Sequence, residues 1–92
     1  MEGMTASDDD RSLAFAATDA LDGARLIGYN SRGEVCVWFG GYSFNVYDTR
    51  REWTETRHFT SGVLCGMTDR NGDKGREMAI ERMRSEGFEP VN

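Results

Sequence analysis

Between Val35 and Val46, apolar residues alternate on both sides of a Gly40–Gly41 pair, and this constrains the fold of the 92-residue chain more than any other stretch. A period of two marks a strand with distinct faces, and a Gly-Gly loop suits the primed two-residue turns, whose positive φ angles glycine accepts without steric cost. Symmetric pairing about that turn sets Phe39 against Tyr42, Val37 against Phe44 and Val35 against Val46 on one face, the expected core. Trp38 with Ser43, Cys36 with Asn45 and Glu34 with Tyr47 then share the other face. A first strand over 24–30 joins through the turn Asn30-Ser31-Arg32-Gly33, with glycine at a left-handed position. The same counting places Leu26 against Val37, Ala24 against Phe39, Ile27 beside Cys36 and Arg25 beside Trp38, the last as a cation–π contact.

Helices are expected on either side of these strands. Ser7 is a good N-cap, and Asp8, Asp9 and Asp10 follow in the first turn, where carboxylates meet the positive end of the helix dipole. Leu13, Ala16, Ala17, Ala20 and Leu21 recur at helical spacing until Gly23. That thin alanine-rich stripe suits close packing on a flat surface such as the hairpin face. Near the other end, Asp73 can cap a helix over 74–86 with apolar positions Ala79, Ile80 and Met83; Gly87 is its C-cap, Phe88 folds back onto Met83 and Pro90 bars continuation. In between, Trp53, Glu55, Arg57 and Phe59 alternate with Thr54, Thr56, His58 and Thr60, as in an edge strand, and 63–65 reads as a short extended piece. The expected fold is one α+β domain over 1–92, an antiparallel meander of three or four strands flanked by two helices.

The formal net charge of −5 is unevenly placed. Residues 1–22 hold Glu2, Asp8, Asp9, Asp10, Asp19 and Asp22 against Arg11 alone, so this stretch carries the entire excess. Over 23–68, five arginines face four acids. Acidity overall argues against direct nucleic-acid binding and for solubility or a basic partner. No apolar run is long enough to cross a bilayer and the first residues are acidic where a secretory signal needs positive charge, so the expected compartment is the cytoplasm, with no membrane contact. Cys36 and Cys65 lack CxxC spacing and are expected as free thiols.

No motif identifies a reaction. Asp69, Asn71 and Asp73 open like a calcium-binding loop, but Lys74 stands at its sixth position and Ile80 at its twelfth, where glycine and a bidentate glutamate are required; the segment reads as a polar turn feeding a helix. His58, Cys36 and Cys65 show no metal-ligand spacing, and the single histidine has no acid in evident register. No metal, cofactor or catalytic set is therefore expected. The segment Arg50-Arg51-Glu52-Trp53-Thr54-Glu55-Thr56-Arg57-His58 reads equally as an interface rich in arginine and tryptophan or as a solvated, charge-protected edge. The back face, with Arg25, Ile27, Tyr29, Cys36, Trp38 and Tyr47, is covered either by the last helix or by a partner. The expected partner-binding residues are Asp8, Asp9, Asp10, Arg25, Tyr29, Trp38, Tyr47, Arg50, Arg51, Trp53 and Arg57.

Two resemblances bear on function. The order helix, three strands, helix resembles a double-stranded-RNA-binding domain, and the run from Gly75 to Met83 resembles that family's second helix, although only Lys74 and Arg76 stand where the family places several lysines. A short acidic chain of one small sheet and two helices, without a catalytic set and with an aromatic and arginine-rich surface, is similar in character to the small inhibitors encoded by phages and mobile elements, anti-CRISPR proteins among them. That resemblance implies a non-enzymatic protein that binds and blocks a nucleic-acid-handling complex in the host cytoplasm, whose basic surface attracts an acidic ligand. A nucleic-acid-binding domain is the alternative, and a small homodimeric accessory protein is a second one.

Overall fold

The computed structural model describes residues 23–91, so the helix expected over 7–21, with Asp8, Asp9 and Asp10, lies outside the described residues. Five strands, β1 (Leu26–Tyr29), β2 (Glu34–Trp38), β3 (Ser43–Asp48), β4 (Thr54–Thr60) and β5 (Glu89–Pro90), form one antiparallel sheet in the order β4-β3-β2-β1-β5. A 3-10 turn over Thr49–Arg51 joins β3 to β4, and two helices, α1 (Gly62–Cys65) and α2 (Asp73–Ser85), lie between β4 and β5. The α+β antiparallel class expected from the sequence holds, with a fifth strand in addition.

Both hairpins differ from symmetric pairing by one residue. In the first, Asn30 Oδ1 accepts from the N–H groups of Arg32 and Glu34, both at 3.0 Å, and the Asn30 N–H donates to Glu34 O at 3.2 Å. The loop is thus three residues, ending in Gly33 at φ +80°, the left-handed position expected of it. Leu26 pairs with Trp38 and Ile27 with Val37. In the second hairpin, Trp38 pairs with Phe44, Cys36 with Val46, Val37 with Asn45 and Val35 with Tyr47. The Gly-Gly turn is therefore longer than two residues: the Trp38 indole N–H reaches across it to Gly41 O at 2.7 Å, and of its glycines only Gly40 has a positive φ, +109°.

A one-residue slip moves a whole strand's side chains to the opposite face. The first face now holds Leu26, Cys36, Trp38, Phe44 and Val46, all fully buried beneath Leu64 of α1, Ala79 and Met83 of α2, and Phe88. Trp38, Phe44 and Phe59 follow one another across the sheet with ring centroids 6.4 and 4.9 Å apart. On the second face lie Ile27, Tyr29, Val35 and Val37, flanked by Ala24, Tyr47, Trp53 and Val91. The expected core face of Val35, Val37, Phe39, Tyr42, Phe44 and Val46 is thereby split, and the expected back face loses Cys36 and Trp38 to the interior. Phe39 and Tyr42 are on the surface.

Helix α2 follows the expected span within a residue, capped by Gly72 rather than by the Asp73 side chain. Gly87 follows at φ +94°, and the Phe88 N–H donates to Met83 O at 3.1 Å, folding Phe88 back onto Met83 as expected. Pro90 does more than stop the helix: it pairs with Gly28 in β5, and the Val91 N–H donates to Ile27 O at 2.8 Å. Residues 62–65 are helical rather than extended, because the Ser61 hydroxyl accepts from the Leu64 N–H at 3.2 Å and caps the turn. On the edge strand, Val46 pairs with Arg57 but Tyr47 with Glu55, leaving Thr56 as an extra residue. This bulge breaks the expected alternation, so Glu55 leaves the side of Arg57 and comes within 4.0 Å of His58.

Candidate interaction surface

Among the described residues, the expected partner-binding side chains do not form one patch. Trp38 is fully buried, which corrects its placement on a docking face, and Tyr29 is 8% exposed. Tyr47 and Trp53 are half-buried at the margin of the second face. Trp53 is held there by an unusual corner: Glu52 and Trp53 both have left-handed backbones, φ 55° and 59°, a conformation that costs a non-glycine residue about 1–2 kcal/mol. Arg50 and Arg51 are exposed on the 3-10 turn, whose first N–H groups are organised by Asp48, with Asp48 Oδ1 accepting from the Arg50 N–H at 2.9 Å. Asp8, Asp9 and Asp10 lie outside the described residues.

Arg57 is exposed but engaged. Its guanidinium donates to Glu86 Oε1 at 3.1 Å, Arg82 donates to Glu86 Oε2, and both cations lie over the Phe59 ring, at 5.4 and 4.8 Å. Burial by itself would raise the Glu86 carboxyl, but the hydrogen bonds and charges of Arg82 and Arg57 outweigh it and hold the group below its ordinary 4.5. Because the folded value is the lower one, the unfolded chain binds the proton first on acidification. The stabilisation is complete above pH 4.5 and is lost as pH falls through the folded value. Urea midpoints measured from neutral pH downward are expected to fall more steeply below pH 4.5 for the native chain than for Glu86→Gln.

Phe39 and Tyr42, which the sequence reading placed inside, are open to water, and so is Val63. Phe39 is 46% and Tyr42 42% exposed on the β2–β3 turn, and Val63 is 62% exposed on α1. These elements are tied together. The Ser61 N–H donates to Tyr42 O at 2.9 Å, so α1 starts beside the turn. Arg70 joins them: its guanidinium lies 5.8 Å from the Tyr42 ring centroid and its Nη1 donates toward the carbonyls of Leu64, Cys65 and Met67 at 3.2, 3.4 and 2.7 Å, at and just beyond the end of α1. Arg25 donates to Asn71 O at 2.6 Å and lies 6.0 Å from the Trp38 ring, the cation–π contact expected of it. Gly40 sits against both: a methyl there would come within 2.8 Å of Arg25 Cδ and 2.9 Å of Asn71 Oδ1. Exposed aromatics on a braced turn, with arginines fixed beside them, form a surface of the composition that anchors protein interfaces. Beside it, a pocket of about 250 Å³ is lined by Ser61, Val63, Met78, Glu81, Arg82 and Ser85.

Elsewhere the chemistry is sparse. His58 and Glu55 are 67% and 50% exposed in open solvent and line neither this pocket nor the one of about 270 Å³ at Asn30, Ser31, Arg32, Ser85, Glu86 and Gly87. Burial pushes the Cys36 thiol up to about 12, so it stays protonated at neutral pH, while Cys65 is exposed at the end of α1. Among the described residues no three His, Cys, Asp or Glu side chains are grouped to hold a metal ion, and no helix is long and apolar enough to cross a membrane. The sheet also has two strands more than the three of the double-stranded-RNA-binding order. Compared with known proteins, the chain matches no family model, no curated protein and no solved structure.

Proposed function

We propose that this protein acts by binding another protein, without catalysis of its own, in the manner of the small phage-type inhibitors that block a nucleic-acid-handling complex. The observation that carries this reading is the braced surface of Phe39, Tyr42 and Val63, three large apolar side chains left in water on elements joined by the Tyr42–Ser61 hydrogen bond and by Arg70. Side chains fixed before binding lose little entropy on association, which favours affinity from a small patch. The partner this reading favours has a basic surface, since residues 23–91 contain ten cations and ten acids and the excess negative charge all belongs to residues 1–22. The only histidine stands in solvent and the buried thiol is held protonated, which supports binding over nucleophilic or acid–base chemistry.

The test is a comparison of the native chain with Phe39→Ser/Tyr42→Ser, using the partner that the native chain captures from its own cell. Because both side chains are exposed, the melting temperature should change little. Affinity is expected to fall at least about tenfold, the loss expected when interface anchors are truncated. Equal affinity with equal stability would remove this surface from the reading, and binding of duplex RNA or DNA at low salt by the native chain would favour the nucleic-acid alternative.

A further inference from the structure

We propose that the pocket between α1 and α2 is a subsite for one apolar side chain of the protein partner, with a lysine or arginine next to it in the partner's chain. This deepens the binding reading given above and rests on it, since Val63 belongs both to that surface and to the pocket wall. Met78, Glu81, Arg82 and Ser85 line the pocket from α2 at i, i+3, i+4 and i+7, so they share one face of the helix. Ser61 and Val63, where α1 begins, form the other wall. That stretch of α2 rises about 10 Å, room for about three extended residues of a peptide. The volume of about 250 Å³ falls below the roughly 300–1,000 Å³ of pockets that enclose small molecules, and Val63, Glu81 and Ser85 are exposed at its mouth, so it fits an anchoring side chain better than a whole metabolite.

The chemistry of the occupant follows from which lining groups are already committed. Ser61 Oγ accepts from the Leu64 N–H at 3.2 Å. Ser85 Oγ donates to Arg82 O at 2.7 Å and accepts from Arg82 Nη1 at 3.2 Å. Arg82 also donates to Thr60 O through Nε at 3.3 Å, and its charge is met by Glu86. Among the described lining residues this leaves one polar group, the exposed Glu81 carboxylate, without a hydrogen bond or ion pair. Glu77, one turn earlier, is exposed and likewise unpaired, a spacing of like charges that weakens a helix and adds to the negative rim. Lys74 stands a turn before Met78 and lines no part of the pocket. An apolar side chain seated between Val63 and Met78 therefore leaves no group of the wall newly unpartnered, and a cation beside it meets Glu81, where an acid would be repelled.

Three acetylated and amidated hexapeptides test the assignment by nuclear magnetic resonance on the full, isotope-labelled chain: one of leucine and lysine, one of leucine and glutamate, and one of serine and lysine. The leucine–lysine peptide is expected to shift the amide resonances of Val63, Met78 and Glu81 saturably at millimolar concentration, and the other two peptides are not. Glu81→Gln is expected to weaken that binding about two- to fivefold, the range for an exposed ion pair. Val63→Ser, which removes part of the apolar wall, is expected to weaken it about fivefold or more. No saturable shift at these residues would overturn the proposal, as would unchanged affinity in Glu81→Gln. Equal binding of the leucine–glutamate peptide would overturn it by showing no preference for a cation, and equal binding of the serine–lysine peptide by reducing the effect to charge alone. Phe39→Ser/Tyr42→Ser is expected to bind the leucine–lysine peptide as the native chain does, so failure of the pocket and failure of the wider surface are told apart.

Discussion

Trp38→Ala is expected to cost about 3–5 kcal/mol, the range for deleting a large aromatic from a packed core. Trp38 is fully buried, heads the ring series through Phe44 and Phe59, lies near the Arg25 guanidinium, and closes its own turn by donating to Gly41 O at 2.7 Å. A total stability of about 5–15 kcal/mol is usual for a small domain, so this variant should lie close to the unfolding threshold. Trp38→Phe keeps most of the packing but deprives Gly41 O of its donor, and a smaller loss of about 1–3 kcal/mol is expected. Urea denaturation followed by circular dichroism measures both. The experiment also decides the hairpin register: with Trp38 beside Ser43 on an open face, alanine would change stability by no more than about 0.5 kcal/mol.

The second large effect runs against ordinary helix propensity. Gly75 occupies the first turn of α2, where replacing glycine by alanine normally stabilises a helix by about 0.5–1 kcal/mol. Here a methyl would stand 2.6 Å from Arg70 Cα and closer still to the Arg70 carbonyl group. Backbone cannot rotate away as a side-chain tip can, so the 66–72 loop or the helix must move. Overpacking of this kind costs about 1–3 kcal/mol and at times more, and Gly75→Ala is expected to lower the urea midpoint accordingly. The displacement would reach the proposed binding surface, because Arg70 carries both the contact with Tyr42 and the bonds to α1. Gly72→Ala, whose nearest neighbour would be Asp69 O at 3.3 Å, is the milder control.

Local signals in this sequence were reliable where one residue type answers one backbone need. Gly33 is left-handed, Gly87 follows α2, and Phe88 returns to Met83. Register was not legible, and the reason lies in β2. Its residues Val35 and Val37 on one side and Cys36 and Trp38 on the other are all buried, so the strand shows no contrast of polarity to say which set meets Phe44 and Val46. A symmetric turn was the simplest way to break that tie. The structure breaks it instead with the Trp38–Phe44–Phe59 ring series and the indole bond to Gly41. Phe39 and Tyr42 thereby became surface residues, so aromatics reach the surface on the turn as well as at Trp53. β5 could not be read because two residues have no period, and their partner lies sixty positions away in β1. The bulge at Thr56 was equally invisible, since it is defined by what faces it on β3 rather than by its own side chain.

The pairing of β5 with β1 has a consequence for how the protein is made. Gly28 and Tyr29 leave the ribosome early and wait for Glu89 and Pro90 before their outer edge is occupied. Until then a nascent sheet would end in an open strand beside half-assembled apolar surface, the kind of species that aggregates. A chain truncated upstream of Glu89 would therefore keep the outer edge at Gly28 and Tyr29 open, a place where another strand could add.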